Sequence, residues 1–171
     1  GPGRSVVALS GNGADHGLLA LACQYVGAPF APVAQQYSLI PGAHGRLRQV
    51  IEMMDPAPVY VADPAEYADP PALDPLAGRE GVASAGGAVS FADLLRGGDA
   101  GAAAAAHALV GPDTLAKVLF TSGSASAPKG VRTTQGMMCV NQTQLADCLP
   151  FLRDRPPRVL DWLPWRGTMC S

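Results

Sequence analysis

The residues most able to do chemistry lie together in one short segment. Positions 120–131 read F-T-S-G-S-A-S-A-P-K-G-V, which brings several hydroxyls, two glycines and a lysine into one loop after an apolar run. Small residues let backbone N–H groups approach an anion, hydroxyls donate to phosphate oxygens, and a lysine supplies opposing charge. The segment therefore suits a triphosphate or a pyrophosphate.

The loop is not a Walker A motif. That motif requires Gly directly before the lysine and Ser or Thr directly after it, whereas Pro128 and Gly130 flank Lys129 here. Composition alone leaves an ordinary Ser- and Gly-rich surface turn as an equal alternative.

The pattern T-S-G-S-x-x-x-P-K-G-V resembles the phosphate-binding signature of the adenylate-forming superfamily, which includes acyl-CoA synthetases, luciferases and peptide-synthetase adenylation domains. The flanking sequence is most similar to feruloyl-CoA synthetases, and the similarity covers nearly the whole chain. It is carried by residues 9–12, 15–16, 18–21, 31–33, 37–39, 110–117 and 161–165.

The resemblance implies the N-terminal portion of an AMP-forming acid–CoA ligase. Residues 1–171 would form a partial AMP-binding domain without the C-terminal subdomain, and the chain alone is expected to be inactive. The cofactors and partners would be ATP, Mg²⁺, coenzyme A and a carboxylic acid, aromatic and feruloyl-like. Carried over residue by residue, the phosphate site comprises Thr121, Ser122, Gly123, Ser124, Ala125, Ser126, Lys129 and Gly130. Trp165 and Gly167 are the candidates for the substrate pocket, and no catalytic residue or metal ligand is assigned.

Three positions depart from the family pattern. Ala125 and Ser126 stand where the family has Thr and then Gly, and Gly167 stands where it has His. Loss of the Thr hydroxyl removes a phosphate or metal contact. The Cβ of Ser126 restricts the backbone at a position where the family's glycine has more conformational freedom. These departures keep an alternative open, namely a noncatalytic nucleotide-binding or interaction module derived from the same fold.

The elements that must position the loop follow from hydrophobic periodicity. The pattern predicts strands at 6–10, 31–33, 59–62, 115–121 and 159–162, and helices at 14–26, 44–54, 91–95 and 137–149. Residues 63–90, rich in Pro, Gly and Asp, are expected to form a surface excursion. Because strands alternate with helices, we expect an α/β fold with a mainly parallel sheet flanked by helices. This fold would be the incomplete N-terminal portion of an acyl-CoA synthetase-like domain.

Composition narrows the functional classes. The formal net charge of -2 provides no basic field for nucleic acid. No apolar run is long enough to span a bilayer, and no signal peptide is visible. The four cysteines form no C-x-x-C pair, which favours the cytoplasm.

The histidines and tryptophans have ordinary structural interpretations. His16, His44 and His107 share no metal-ligand spacing, so surface or helix positions are expected. The pair Asp15-His16 suggests capping of a helix. Trp162 is expected in the core, whereas a core role and a pocket role are equally open for Trp165.

Overall fold

Short runs of β-branched and apolar residues build one seven-stranded sheet. The structure, a computed structural model, describes residues 4–40, 42–66, 78–84, 89–121, 127–155, 157–158, 160 and 163–165. The strands of these residues are β1 Val6–Leu9, β2 Phe30–Val33, β3 Pro58–Val61, β4 Glu80–Ala83, β5 Val89–Ser90, β6 Leu115–Thr121 and β7 Lys129–Thr134. Their order across the sheet is β5-β4-β3-β1-β2-β6-β7.

The sheet is parallel except at one edge. Parallel pairing joins β1 to β2 and to β3, β3 to β4, β4 to β5, and β2 to β6. The last strand, β7, runs antiparallel to β6. The carboxyl ends of the six parallel strands therefore share one edge of the sheet, which we call the carboxyl edge.

Helices cover the two faces of this sheet, as the alternation of elements predicted. Those that the structure describes are α1 Ala14–Val26, α2 Gln36–Leu39, α3 His44–Met54, α4 Phe91–Arg96, α5 Ala100–His107, α6 Gln135–Cys148 and α7 Phe151–Asp154. The expected α/β fold with a mainly parallel sheet is confirmed.

Alternating side chains of the central strands divide the core into two clusters, one on each face. On one face Val7 and Leu9 pack with Leu47, Val50 and Ile51 of α3. On the other face, Val6 and Ala8 pack with Cys23 of α1 and with Phe30 and Tyr60. Both faces of β1 are thus buried, which accounts for its uninterrupted apolar sequence.

The ends of α1 and α3 follow local backbone chemistry. Gly27 ends α1 in the left-handed region at φ 70°, and a Cβ there would lie 3.0 Å from Cγ2 of Val110. Both the conformation and the close approach therefore require glycine. Asp55 ends α3 in the same region, at φ 38°, and Pro56 prevents further helix.

Several expectations need correction. The predicted excursion at 63–90 contains two parallel strands, β4 and β5, because Val82 and Ala83 extend the core beside β3. The antiparallel strand β7 was not predicted, and α6 begins before residue 137. Helix α5, which contains the alanines at 102–106, was also not predicted; Asp99 caps it at the N–H of Ala102. Of the strand expected at 159–162, the structure describes residue 160 alone, which is exposed and lies in no strand; residues 159, 161 and 162 are outside the described part of the chain.

Candidate functional site

The two ends of the hydroxyl-rich loop lie opposite each other at the carboxyl edge. Thr121, the last residue of β6, pairs across the sheet with Lys129, the first residue of β7. The Thr121 hydroxyl lies 3.5 Å from the carbonyl oxygen of Lys129. Since adjacent antiparallel strands are hydrogen-bonded, the loop starts and finishes on a fixed base.

Both residues of this base are exposed, so the Thr121 hydroxyl and the Lys129 ammonium are accessible to a ligand. No ion pair joins Lys129 to another described residue. Five of the predicted phosphate contacts, Ser122, Gly123, Ser124, Ala125 and Ser126, lie outside the described residues.

Gly130 has a steric role in this structure. A Cβ at Gly130 would lie 2.9 Å from Cγ1 of Val118 on the neighbouring strand and 3.6 Å from the sulfur of Met53. A contact of 2.9 Å is far inside the van der Waals separation of two carbons. Packing of α3 against β6 and β7 therefore accounts for this glycine without any ligand.

A buried pair, Ser10 and His16, lies at the same edge, after β1. The Ser10 hydroxyl lies 2.7 Å from Nδ1 of His16, and both residues are buried. Desolvation lowers the pKa of His16 below its usual value, which favours the neutral ring. His16 lies in the first turn of α1, so the expected helix position is confirmed, but the residue is buried and not on the surface. Its ring packs edge-on against Phe30.

Asn12 holds residues 163–165, the last described segment, against the turn between β1 and α1. Its Nδ2 donates to the carbonyl of Leu163 at 2.8 Å, and its Oδ1 accepts from the N–H of Trp165 at 2.9 Å. The Trp165 ring packs against His16 at 5.7 Å between ring centroids, and a Cβ on Gly17 would lie 3.4 Å from it. Trp165 is therefore held at the start of α1. Trp162 and Gly167 lie outside the described residues.

A short chain of hydroxyls links the start of α1 to β3 and β4. The Tyr60 hydroxyl lies 2.6 Å from the Ser84 hydroxyl, which donates to a carboxylate oxygen of Asp15. A carboxylate in the first turn also complements the helix dipole. Asp15 thus ties the start of α1 to β3 and to the end of β4.

Sequence reasoning named Thr121 and Lys129 but did not predict that they pair across β6 and β7. It also missed the contacts of Asn12, Ser10 and Ser84. The partners of Asn12 and Ser84 lie far away in sequence, so no local spacing could have revealed these contacts. Among the residues that the structure describes, no group of three or more His, Cys, Asp or Glu could hold a metal ion. Within the same ranges no helix is both long and apolar enough to cross a membrane.

The arrangement of strands and helices recurs in solved structures. ATP-bound MatB from Rhodopseudomonas palustris matches with a TM-score of 0.67 and 26% identity, over 99% of this chain and 32% of that one. A structure from work on fatty acyl-adenylate ligases of E. coli and L. pneumophila gives a TM-score of 0.69 and 22% identity, over 99% and 28%.

A third match is o-succinylbenzoate CoA synthetase from Bacillus subtilis in complex with its acyl-adenylate intermediate. Its TM-score is 0.66 at 16% identity, over 96% of this chain and 38% of that one. The chain thus spans about a third of the length of these solved structures. The comparison with curated proteins gave no match.

The family model described as "AMP-binding enzyme" matches residues 1–165. That stretch includes the β1–α1 turn with Asn12 and His16, the loop base formed by Thr121 and Lys129, and the docked Trp165. Because the match covers nearly all of the chain, this protein belongs to the AMP-binding enzyme family.

Proposed function

We propose that the chain is part of an ATP-dependent, AMP-forming acid–CoA ligase. In this reaction a carboxylate oxygen attacks the α-phosphorus of ATP and pyrophosphate leaves; the thiol of coenzyme A then attacks the acyl carbon and AMP leaves. The observation that carries the proposal is the loop base at the carboxyl edge, where Thr121 faces Lys129 across two antiparallel strands. Open α/β sheets bind ligands outside the carboxyl ends of their strands.

The available groups fit a polyphosphate. The exposed Lys129 ammonium would neutralise charge on a non-bridging phosphate oxygen, and the Thr121 hydroxyl would donate to a second one. Ser122, Gly123, Ser124 and Ser126 are proposed to contribute backbone and hydroxyl donors between them. Mg²⁺ would arrive bound to ATP, where it offsets the charge that develops during phosphoryl transfer.

For the acid we propose an aromatic, feruloyl-like substrate, and for the whole enzyme a cytoplasmic location. The support is the sequence resemblance, together with the position of Trp165 beside the β1–α1 turn. A partly buried indole could form one apolar wall of an acyl pocket.

The alternative is a module that binds a nucleotide or another protein without catalysis. Ala125, Ser126 and Gly167 favour it, because each replaces a residue type that the family uses near the phosphates or the adenylate. In the nucleotide-binding form of this alternative MgATP would still bind through Lys129, but a chain extended to the full length of the solved relatives would form no acyl-adenylate.

Titration calorimetry with MgATP tests the shared part of both functions. We expect Lys129→Ala to weaken binding by about 1–3 kcal/mol, the value of a lost charge-assisted hydrogen bond. Arg132→Ala is the matched control, because it removes a positive charge from the same strand without touching the loop base. Equal affinities of Lys129→Ala and the parent chain would refute the phosphate role.

A further inference from the structure

A cavity on the face of the sheet that α3 covers reaches Gly130 of β7 and is not used by the proposed reaction. It has a volume of about 600 Å³ and lies where β1, β2 and β6 begin, beside the last turn of α3. Small-molecule sites typically measure about 300–1,000 Å³. The cavity is therefore large enough for a ligand of its own.

The walls are mostly apolar. Met53 and Met54 of α3 form one side, while Leu115 and Val118 of β6 form the floor. Part of the space exists because Gly130 has no side chain above Val118. Flexible methionines adapt to aliphatic chains of varied shape.

The polar groups of the wall are largely satisfied within the protein. The Ser5 hydroxyl donates to the carbonyl of Met54 at 2.6 Å, and the Thr114 hydroxyl accepts from the N–H of Gly111 at 2.9 Å. Asp55, next to Met54, pairs with Arg79 at 2.9 Å. These groups leave little for a ligand to bind by hydrogen bonds.

Arg132 is the charged residue among the described lining residues. It lies two positions after Gly130 on β7, so both project from the same face of the sheet. Arg132 is exposed, and no ion pair joins it to another residue in the described ranges. A guanidinium at the mouth of an apolar cavity complements a carboxylate, which it can hold through two parallel hydrogen bonds.

We propose that this cavity binds a single-chain carboxylate, with the alkyl chain between Met53 and Val118 and the head group on Arg132. The site would hold one molecule per chain. Binding at this site does not require the phosphate loop, so this proposal is tested separately from the ligase proposal.

Equilibrium dialysis of the 171-residue chain with labelled decanoate tests this site. We expect saturable binding of one molecule, weakened about tenfold or more by Arg132→Gln because the charged partner is lost. Met53→Trp should weaken binding by filling the cavity, and it is tolerable because Met53 is 54% exposed. Arg158→Gln, an exposed arginine absent from the lining, and Lys129→Ala should both retain the parent affinity.

Decanol and decyltrimethylammonium test the choice of head group. Both should bind at least about tenfold more weakly than decanoate if Arg132 selects an anion. Equal binding of decanol and decanoate, or equal decanoate binding by Arg132→Gln and the parent, would overturn the proposal. So would unsaturable uptake of many molecules, which would indicate adsorption to exposed apolar surface.

Discussion

A hydrogen bond joins Asn12 to Trp165, two residues that are separated by almost the whole length of the sequence. The Asn12 Oδ1 accepts from the Trp165 N–H at 2.9 Å, while its Nδ2 donates to the carbonyl of Leu163 at 2.8 Å. One side-chain amide thus holds the 163–165 segment on the turn that precedes α1.

We expect Asn12→Ala to release Trp165 from α1 because both hydrogen bonds disappear. The loss in docking free energy should be about 1–3 kcal/mol. In a Trp162→Phe background the fluorescence reports Trp165 alone, and its emission should shift to longer wavelength as the indole meets water. Asn141→Ala, on the exposed surface of α6, is the matched control. An unchanged emission maximum in Asn12→Ala would show that ring packing on His16 suffices.

Gly130→Ala should destabilise the fold by about 1–3 kcal/mol, the usual cost of overpacking. The reason is the 2.9 Å separation between the new Cβ and Cγ1 of Val118. Gly81→Ala is the control, since a Cβ on that strand glycine meets nothing within 4 Å. Urea unfolding measures both variants, and Val118→Ala should cost less unfolding free energy in the Gly130→Ala background than in the parent. Equal stability of Gly130→Ala and the parent would refute the steric explanation.

Cys23 should resist alkylation in the folded chain. Burial raises the pKa of its thiol to about 12, so almost no thiolate is present near neutral pH. Cys139 and Cys148 are exposed and should react. Iodoacetamide labelling at about pH 8, followed by peptide mass spectrometry, separates the sites, and urea should make Cys23 reactive. Labelling of Cys23 at the rate of Cys139 without denaturant would contradict its burial.

His16 should make the fold less stable in mild acid. Its folded pKa lies below the unfolded value of about 6.5, so the unfolded chain binds a proton more readily. The stability that neutral His16 contributes is complete above the unfolded pKa and falls as the pH drops toward the folded pKa. Between about pH 7.5 and about pH 5.5, the parent should therefore lose more unfolding free energy than His16→Gln. Identical losses in the two proteins would show that His16 does not titrate differently on unfolding.

The 171 residues alone should not form an acyl-adenylate. They span about a third of the solved structures that they match. Catalysis requires the carboxylate and the α-phosphate to be held in line, and a misplacement of about 1 Å can cost a hundredfold in rate. Exchange of labelled pyrophosphate into ATP, with ferulate and benzoate as acids, should remain at the level of the blank. Acid-dependent exchange that Lys129→Ala abolishes would show that these residues suffice.

Strong periodicity made the central elements predictable. The predicted bounds of α1, α3 and β6 agree with the structure. In α3 the apolar residues repeat at the spacing of a buried helix face, whereas the periodic Leu18, Leu21 and Tyr25 of α1 are exposed. Thr121 and Lys129 were named from a local motif, but their pairing across β6 and β7 was not predicted. Whether the remaining loop residues bind phosphate stays a prediction.

Elements that depend on tertiary contacts could not be read from the sequence. β7 is an edge strand of largely exposed residues, so its sequence shows little alternation, and pairing with β6 stabilises it. β4 and β5 are short and lie in a segment rich in Pro, Gly and Asp, so neither strand was predicted. The burial of His16 was not predicted, because its hydroxyl partner and its packing against Phe30 arise only when β1, β2 and α1 assemble.

The pairing of β6 beside β2 has a consequence for how the chain folds. Phe30 and Lys117, which set this register, are separated by the whole middle of the sequence. Contacts so distant along the chain form slowly, because a long loop must close first. During synthesis β1, β2 and β3 would emerge well before β6, and the free edge of β2 would remain unpaired in the meantime. β6, the strand that carries Thr121, therefore joins the sheet late. Until it pairs with β2, the nascent protein exposes a strand edge with which another chain could pair.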